Sequence, residues 1–255
     1  MRIAIASQLF LIPSTAFSAV VLELDASSLI NPTIVGSTRA TSNAQGTIVD
    51  ESDPSTALSN VTFNLSHFDG VTESDSQFFD NNVNNHFEDN SLARWSSNTY
   101  RNADGSNLSS TLDALGMRTT GSIEPKALMS INFTQAVEDL VLHFWQIDAG
   151  DVFLTSVNGS TTGFSALELS GTLGTVPATG LGPGTQLNAG SGSIRLITDD
   201  GSPISSIGLT TAKDGAGTDG WSLFISGASV VPEPSSVTLL LGTICFMAGF
   251  RRRKG

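Results

Sequence analysis

The sequence predicts an all-β protein whose body is an antiparallel β-sandwich of jelly-roll type, flanked by an N-terminal signal peptide and a C-terminal hydrophobic helix. Three observations support this prediction: short runs that alternate apolar and polar residues, turn dipeptides between those runs, and one hydrophobic segment at each end of the chain. Alternation with a period of two is typical of strands that bury one face. No long stretch repeats its apolar residues at helical spacing.

The first 18 residues are typical of a secretory signal peptide. Arg2 supplies the positive start, and residues 3–12 are mostly apolar. Small residues stand three and one positions before Ala19, which is the pattern that a signal peptidase reads. We therefore expect residues 1–18 to be removed and the mature chain to begin at Ala19.

Residues 19–230 form the predicted body of the protein. Its clearest alternating runs are residues 61–65, 127–133, 194–196, 207–209 and 221–226. Within these runs, the residues expected to share a core-facing side are Ala127, Met129, Ile131 and Phe133 in one strand, and Trp221, Leu223 and Ile225 in another. Residues 137–147 are apolar on both faces in places, which predicts one central strand.

Turn chemistry separates these runs. The dipeptides and tripeptides that predict turns are Asn158-Gly159, Asp199-Asp200-Gly201, Asp214-Gly215 and Asp219-Gly220. Many short strands joined by such turns are typical of two antiparallel sheets packed face to face.

Residues 66–107 differ from the rest of the body because they are rich in Asn, Asp and Ser, and we expect a loop-rich excursion with one short helix. Six aromatic side chains lie in it: Phe68, Phe78, Phe79, Phe87, Trp95 and Tyr100. They are candidates either for stacking on sugar rings or for anchoring a polar flap to the core, and we favour anchoring.

The body is strongly acidic and lacks cysteine. Between Ala19 and Val231 it has seven basic and 23 acidic side chains, a formal charge of −16. This excess of negative charge argues against nucleic acid as a partner, because phosphates need basic side chains. The single cysteine, Cys245, lies near the C-terminus, so the body has neither disulfides nor zinc-thiolate sites.

The segment 231–255 combines three features in a fixed order. The triplet Pro232, Glu233 and Pro234 comes first, and its prolines favour an extended backbone around the carboxylate. The uncharged residues 237–250 follow, spanning ~21 Å as a helix, which is short for a permanent anchor in a ~30 Å hydrocarbon core. The chain then ends with the basic residues Arg251, Arg252, Arg253 and Lys254, which are expected to stay cytoplasmic.

This order resembles the sorting tail of the PEP-CTERM family. The resemblance covers about a tenth of the chain and implies that an exosortase-like enzyme of a bacterium with an outer membrane cuts the tail near Pro232–Pro234. It further implies passage of the body through the inner membrane to the cell surface or the extracellular matrix. The tail says nothing about what the body does there.

Catalytic and metal-binding signatures are weak. The three histidines, His67, His86 and His143, have no ligand spacing, and we expect His143 to lie on a sheet face beside Val141 and Trp145. Concanavalin-like glycosidases use Glu-x-Asp-x-x-Glu, and here Glu23 and Asp25 begin that spacing, but position 28 is Ser28. The pair Asp148 and Asp151 flanks a glycine turn and is expected to serve the turn.

Calcium is the one metal that the composition leaves open. The candidate ligand pairs are Asp199 with Asp200 and Asp214 with Asp219, although aspartate is common in turns for its own backbone hydrogen bonds. We expect no resident cofactor. The favoured function is a non-enzymatic structural or adhesive surface protein with extracellular polysaccharide as a candidate ligand. The alternative is a secreted polysaccharide-active hydrolase on a concanavalin-like sandwich.

Overall fold

The computed structural model describes residues 19–24, 33–35, 38–41, 43–68, 76–80, 100–108, 115–120, 127–148, 152–171, 173, 175–177, 185–187, 190–211 and 218–231. These residues form seventeen strands and no helix. The strands are β1 Val20–Leu24, β2 Thr33–Val35, β3 Thr38–Thr41, β4 Asn43–Asp50, β5 Asp53–His67, β6 Ser76–Asp80, β7 Leu115–Thr120, β8 Ala127–Glu138, β9 Val141–Ile147, β10 Val152–Val157, β11 Phe164–Gly171, β12 Thr175–Pro177, β13 Thr185–Leu187, β14 Gly190–Thr198, β15 Ile204–Thr211, β16 Thr218–Gly227 and β17 Ser229–Val230.

All the strand pairings are antiparallel, and they connect the strands into one nearly closed, barrel-like sheet. The pairings form two arms. The first arm runs β11–β14–β9–β16–β7–β6–β3–β2, and the second runs β12–β13–β10–β15–β8–β5–β4–β1. They join where β1 pairs with β16, at Val20↔Gly227 and Val21↔Ser226.

One hydrophobic core lies between the two arms. The predicted core faces of β8 and β16 are confirmed, because Ala127, Met129, Ile131 and Phe133, and also Trp221, Leu223 and Ile225, are all buried in this core. Phe63 of the second arm meets Phe78 of the first arm edge to face, with ring centroids 6.3 Å apart. Side chains of both arms therefore contribute to one core.

The predicted strand over residues 137–147 is confirmed in part. It is interrupted at Asp139 and Leu140, where β8 ends at Glu138 and β9 begins at Val141. Asp139 occupies the left-handed region with φ of 50°, which a non-glycine residue adopts at a small energetic cost. The strand direction does not change at this point, because Ser226↔Val141 and Ser229↔Glu138 keep one register against β16 and β17. Asp139 therefore kinks the chain locally.

Two of the predicted turns are confirmed. Asn158 and Gly159 both have positive φ, 51° and 74°, between β10 and β11, and Gly201 has φ of 71° between β14 and β15. The Asp219-Gly220 turn is wrong, because both residues lie inside β16 and pair with β7. Asp214-Gly215 lies outside the described residues.

The excursion at residues 66–107 contains a strand that the sequence analysis did not predict. β6 pairs with β3 and β7 and buries Phe78 in the core. No helix occurs in the described part of this stretch. Residues 100–108 form a small closed turn, here called the clip, in which Arg101 bridges to Asn107. The clip lies on the outer side of the first arm.

Candidate functional site

The outer side of β9, β14 and β16 beneath the clip is here called the covered face. Strand alternation places Leu142 and Phe144 of β9 in the main core, so the residues between and beside them point outward. A second hydrophobic cluster forms on this side: Val21, Val49, Tyr100, Leu108 and Phe224. Tyr100 and Leu108 belong to the clip, so the clip supplies the cover that makes this outer face a small second core.

His143 lies at the centre of the covered face and is fully buried. Its Nδ1 is 2.7 Å from the hydroxyl oxygen of Ser193 on β14, and its Nε2 is 2.8 Å from that of Ser226 on β16. The ring of Tyr100 meets the imidazole edge to face, with centroids 5.8 Å apart. The prediction that His143 is a sheet-face histidine is confirmed.

Burial lowers the pKa of His143 to about 3, so the imidazole is neutral at ordinary pH. A neutral ring has one donor and one acceptor nitrogen, and a serine hydroxyl can serve either role. Ser193 also accepts a hydrogen bond of 3.0 Å from the backbone N–H of Arg101. The histidine therefore ties three strands together and, through Ser193, holds the clip.

The hydroxyl of Tyr100 interacts with Ser191 of β14, while burial raises the pKa of the phenol. The clip has two further contacts outside its aromatic anchor: Nη1 of Arg195 donates to the carbonyl oxygen of Ala103 at 3.5 Å, and Asp104 accepts from the N–H of Ser106 at 2.8 Å. Together these contacts support a structural role for the covered face. Neither ring nitrogen of His143 hydrogen bonds to a carboxylate among the described residues.

A groove of about 270 Å³ lies beside the kink between β8 and β9. Asp139 forms an ion pair with Arg195 in this groove, and Oε2 of Glu138 accepts a hydrogen bond of 2.8 Å from the hydroxyl of Ser229. This groove was not predicted, because the kink at Asp139 has no signal in the sequence. Both carboxylates already have a donor.

The predicted carboxylate pairs are not brought together in the described residues. Glu23 is exposed on β1, opposite Thr47 of β4, whereas Asp25 and Ser28 lie outside the described residues. Asp148 is exposed after β9, and its predicted companion Asp151 also lies outside them. The partial match of Glu23 and Asp25 to the glycosidase pattern therefore remains an observation on the sequence alone.

The calcium candidates are described in part, and Asp199 and Asp200 are neighbours in the exposed β14–β15 turn. Asp200 is exposed in the β14–β15 turn and accepts a hydrogen bond of 2.9 Å from the backbone N–H of Ser202, which lowers the pKa of its carboxyl. This contact is the local turn chemistry expected of aspartate. Asp219 lies in β16, and Asp214 is outside the described residues. The described residues include no group of three His, Cys, Asp or Glu side chains that could hold a metal ion.

Two excursion aromatics are anchors rather than parts of a groove. Phe78 is buried in the main core and Tyr100 in the second cluster. Phe68 is 43% exposed at the end of β5. Phe87, Trp95 and His86 lie outside the described residues, while His67 is half-buried at the last position of β5. The hypothesis that Tyr100 stacks on a sugar ring is wrong, because its ring is covered.

The predicted signal peptide, residues 1–18, and the sorting tail lie outside the described residues, including Pro232, Glu233, Pro234 and the basic block from Arg251 to Lys254. The described body ends at Val231, whose N–H donates a 2.8 Å hydrogen bond to the carbonyl oxygen of Ala136. Within the part of the chain that the structure describes, no helix has the length and apolar character needed to cross a membrane.

Comparison with known proteins found no matching family model, no matching curated protein and no matching solved structure.

Proposed function

We propose that this chain is an exported surface or matrix protein that an exosortase-like enzyme sorts through its C-terminal tail. One observation carries the proposal: the order of the Pro232–Pro234 triplet, the uncharged span 237–250 and the basic block 251–254. The signal-peptide pattern of residues 1–18 supports it, because a body sorted outside the cell needs an export signal.

The described strands next to the two expected cuts are compatible with this proposal. β1 begins at Val20, one residue after the expected signal-peptide cut, and the carbonyl of Ala19 accepts a 2.9 Å hydrogen bond from Glu51. At the other end, β17 and Val231 pair with the end of β8, directly before Pro232. A cut at either expected position would leave every described strand intact.

We further propose that the body is a two-sheet sandwich of the jelly-roll kind. Burial of the inner faces of both arms in one core supports this architecture, as does the Phe63–Phe78 contact between the arms. Such a body needs no cofactor and serves a structural or adhesive role at the surface, with polysaccharide as the candidate ligand. In the hydrolase alternative, two carboxylates would need to face a substrate cleft.

The sorting proposal is tested in a host that supplies the exosortase-like system. Replacing Pro232, Glu233 and Pro234 with alanine should leave export intact and block removal of the tail, because both the extended backbone and the charge are lost. The intact mass of the surface-associated protein gives both answers, since loss of residues 1–18 and loss of the tail change it by different amounts.

Ser235→Ala with Ser236→Ala is the matched control, because it alters two neighbouring residues and keeps the triplet. The control should be processed like the native chain. Equal processing of the native chain and the triplet variant would show that the triplet is not the sorting signal.

A further inference from the structure

The middle of the outer side of the second arm is uncharged over four adjacent strands, and the acidic residues Asp50, Asp53 and Glu138 lie only at the ends of these strands. β4, β5, β8 and β15 lie side by side, and their inward residues are buried in the core. Alternation then points the remaining residues outward. The outward side chains in the middle of these strands are Asn43, Gln45, Thr47, Asn60, Thr62, Asn64, Ser130, Asn132, Thr134 and Ser206, and this surface is here called the open face. The next outward row, Ser66, Leu128 and Thr210, borders it and is not part of it.

The registers arrange these side chains in rows across the strands. The middle row is Gln45, Thr62, Asn132 and Ser206, each directly opposite the next. A second row runs Asn43, Asn64, Ser130 and Gly208. Strands ~4.8 Å apart with rows ~6.8 Å apart make a regular grid of amides and hydroxyls, ~14 Å wide across four strands.

The row that reaches Gly208 borders the next strand. Gly208 has no side chain, and the hydroxyls of Thr155 and Ser156 on β10 occupy the space where its Cβ would be. The hydroxyl of Thr155 has no hydrogen-bond partner among the described residues. This row therefore ends at Gly208 against hydroxyls of a fifth strand, and the Thr155 hydroxyl there is buried and uncharged.

The lack of charge on this surface contrasts with the rest of the body, whose formal charge is −16. Solvent-facing surfaces of soluble proteins usually intersperse acidic and basic side chains. Glu23 marks the border, because it stands on β1 directly opposite Thr47. Acidic side chains are thus common on this chain and absent from the open face.

The chemistry of the open face narrows the class of ligand. Nucleic acid and anionic polymers need basic side chains, and a membrane surface needs apolar or basic ones. Stable protein interfaces are centred on aromatic, Met and Arg side chains, which this face lacks. Amides and hydroxyls donate and accept alike, as the hydroxyls of sugars do, and desolvating them costs less than desolvating charges.

We propose that the open face binds a neutral polysaccharide along its rows. This inference rests on the proposed surface role of the body and names the face through which that role is carried out. It replaces the aromatic excursion as the expected contact surface. Each hydrogen bond is weak, so retention depends on many parallel contacts and on display of many copies.

The test uses the full-length chain in detergent micelles, with insoluble cellulose, amylose and cross-linked dextran as neutral probes and alginate as the anionic probe. The native chain should be retained on at least one neutral probe and not on alginate. Raising the salt from about 50 to 500 mM should change retention less than twofold, because neither the face nor the probe is charged.

The decisive variant is Gln45→Glu with Asn132→Asp, which keeps side-chain shape at two exposed positions of the middle row and adds two charges. It should weaken retention about tenfold, because carboxylates cannot donate and resist desolvation. Thr161→Asp with Ser165→Asp adds the same charge at exposed positions on and beside β11 and should stay within twofold of the native chain. Thermal unfolding checks that all three proteins are folded.

Retention of the decisive variant at the native level, no retention on any neutral probe, or stronger retention on alginate would each overturn this proposal. None of these outcomes bears on tail removal, which intact mass reports separately. Failed tail processing with normal retention would instead contradict the sorting proposal and leave the open face as a binding surface.

Discussion

The covered face and the open face are the two outer surfaces of the same sheet, yet the first is buried beneath the clip and the second is exposed. Outward from the first arm, Phe224 and His143 lie in a second small core closed by Tyr100 of the clip. Outward from the second arm, Gln45 and Asn132 remain exposed. The residues on the outer side of a strand therefore indicate whether another segment covers that side.

The difference also separates two uses of polar groups. On the covered face, His143 is held between two serines in a fully buried site, where each hydrogen bond specifies which strands meet. On the open face, amides and hydroxyls stand in rows that water or a ligand can reach. The buried hydrogen bonds of the covered face contribute to stability, whereas the polar rows of the open face can contact a ligand.

The largest expected effect comes from the core beneath the covered face. Trp221→Ala should lower the free energy of unfolding by roughly 3–5 kcal/mol, because a fully buried aromatic side chain leaves a cavity. Urea unfolding measures this as a lower midpoint at constant slope. Trp221→Phe should cost less, since Nε1 of Trp221 has no hydrogen-bond partner among the described residues. An unchanged midpoint for the alanine variant would place this ring outside the core.

Removing the cover should come next. Tyr100→Ala should cost about 3 kcal/mol and expose Phe224, whose ring centroid is 5.9 Å from that of Tyr100. Increased binding of an apolar fluorescent dye at native pH would report the opened face. Tyr100→Phe keeps the ring and should bind no more dye than the native chain. Equal dye binding by the alanine variant would mean that the clip does not close this face.

The third effect depends on pH. Because burial lowers the pKa of His143 from 6.5 to about 3, the unfolded chain takes up a proton below pH 6.5 that the folded chain does not. His143 therefore lowers the free energy of unfolding as pH falls from 6.5 towards 3, by about 2 kcal/mol between pH 7 and 5.

Urea midpoints of the native chain and His143→Gln, compared at pH 7 and 5, isolate this contribution, because both proteins share all other titrating groups. The variant should lose less stability over that interval. Tyr100→Phe should keep the native pH dependence, since the histidine stays buried. Parallel losses in the native chain and His143→Gln would contradict a buried neutral imidazole.

The smallest effect is expected on the open face. Gln45→Ala and Asn132→Ala should each change the free energy of unfolding by no more than about 0.5 kcal/mol, because their side chains are exposed. Urea unfolding beside Trp221→Ala measures the contrast between outer surface and core. A loss above about 2 kcal/mol would mean that these amides support the fold rather than face solvent.

Local alternation was enough to predict which face of β8 and of β16 is buried in the common core, because one face of each strand packs there. Local alternation failed where a residue adopts an uncommon backbone conformation, and where the structure depends on a strand that is distant in the sequence. Asp139 kinks a strand without a glycine or asparagine beside it, and Asp219-Gly220 resembles a turn but pairs with β7. β6 was missed because Phe78 is its one described core contact within a polar stretch.

The histidine site was predictable in part for the same reason. The period of two placed His143 on a face of β9 beside Val141 and Trp145. Its partners were not predictable, because Ser193 and Ser226 become its neighbours through the strand order β14–β9–β16, which local sequence does not encode. The open face likewise needed the register of four strands before its rows could be seen.

The pairing of β1 with β16 sets the order in which this chain can fold. Val20 meets Gly227, roughly two hundred residues later, and at about 5–20 residues per second synthesis needs roughly 10–40 s to supply the partner. Until then β1 can pair with β4 and β5 can follow, but one edge of β1 stays open. Closure of the sheet is therefore a late, long-range event, and the first strand made must wait for nearly the last.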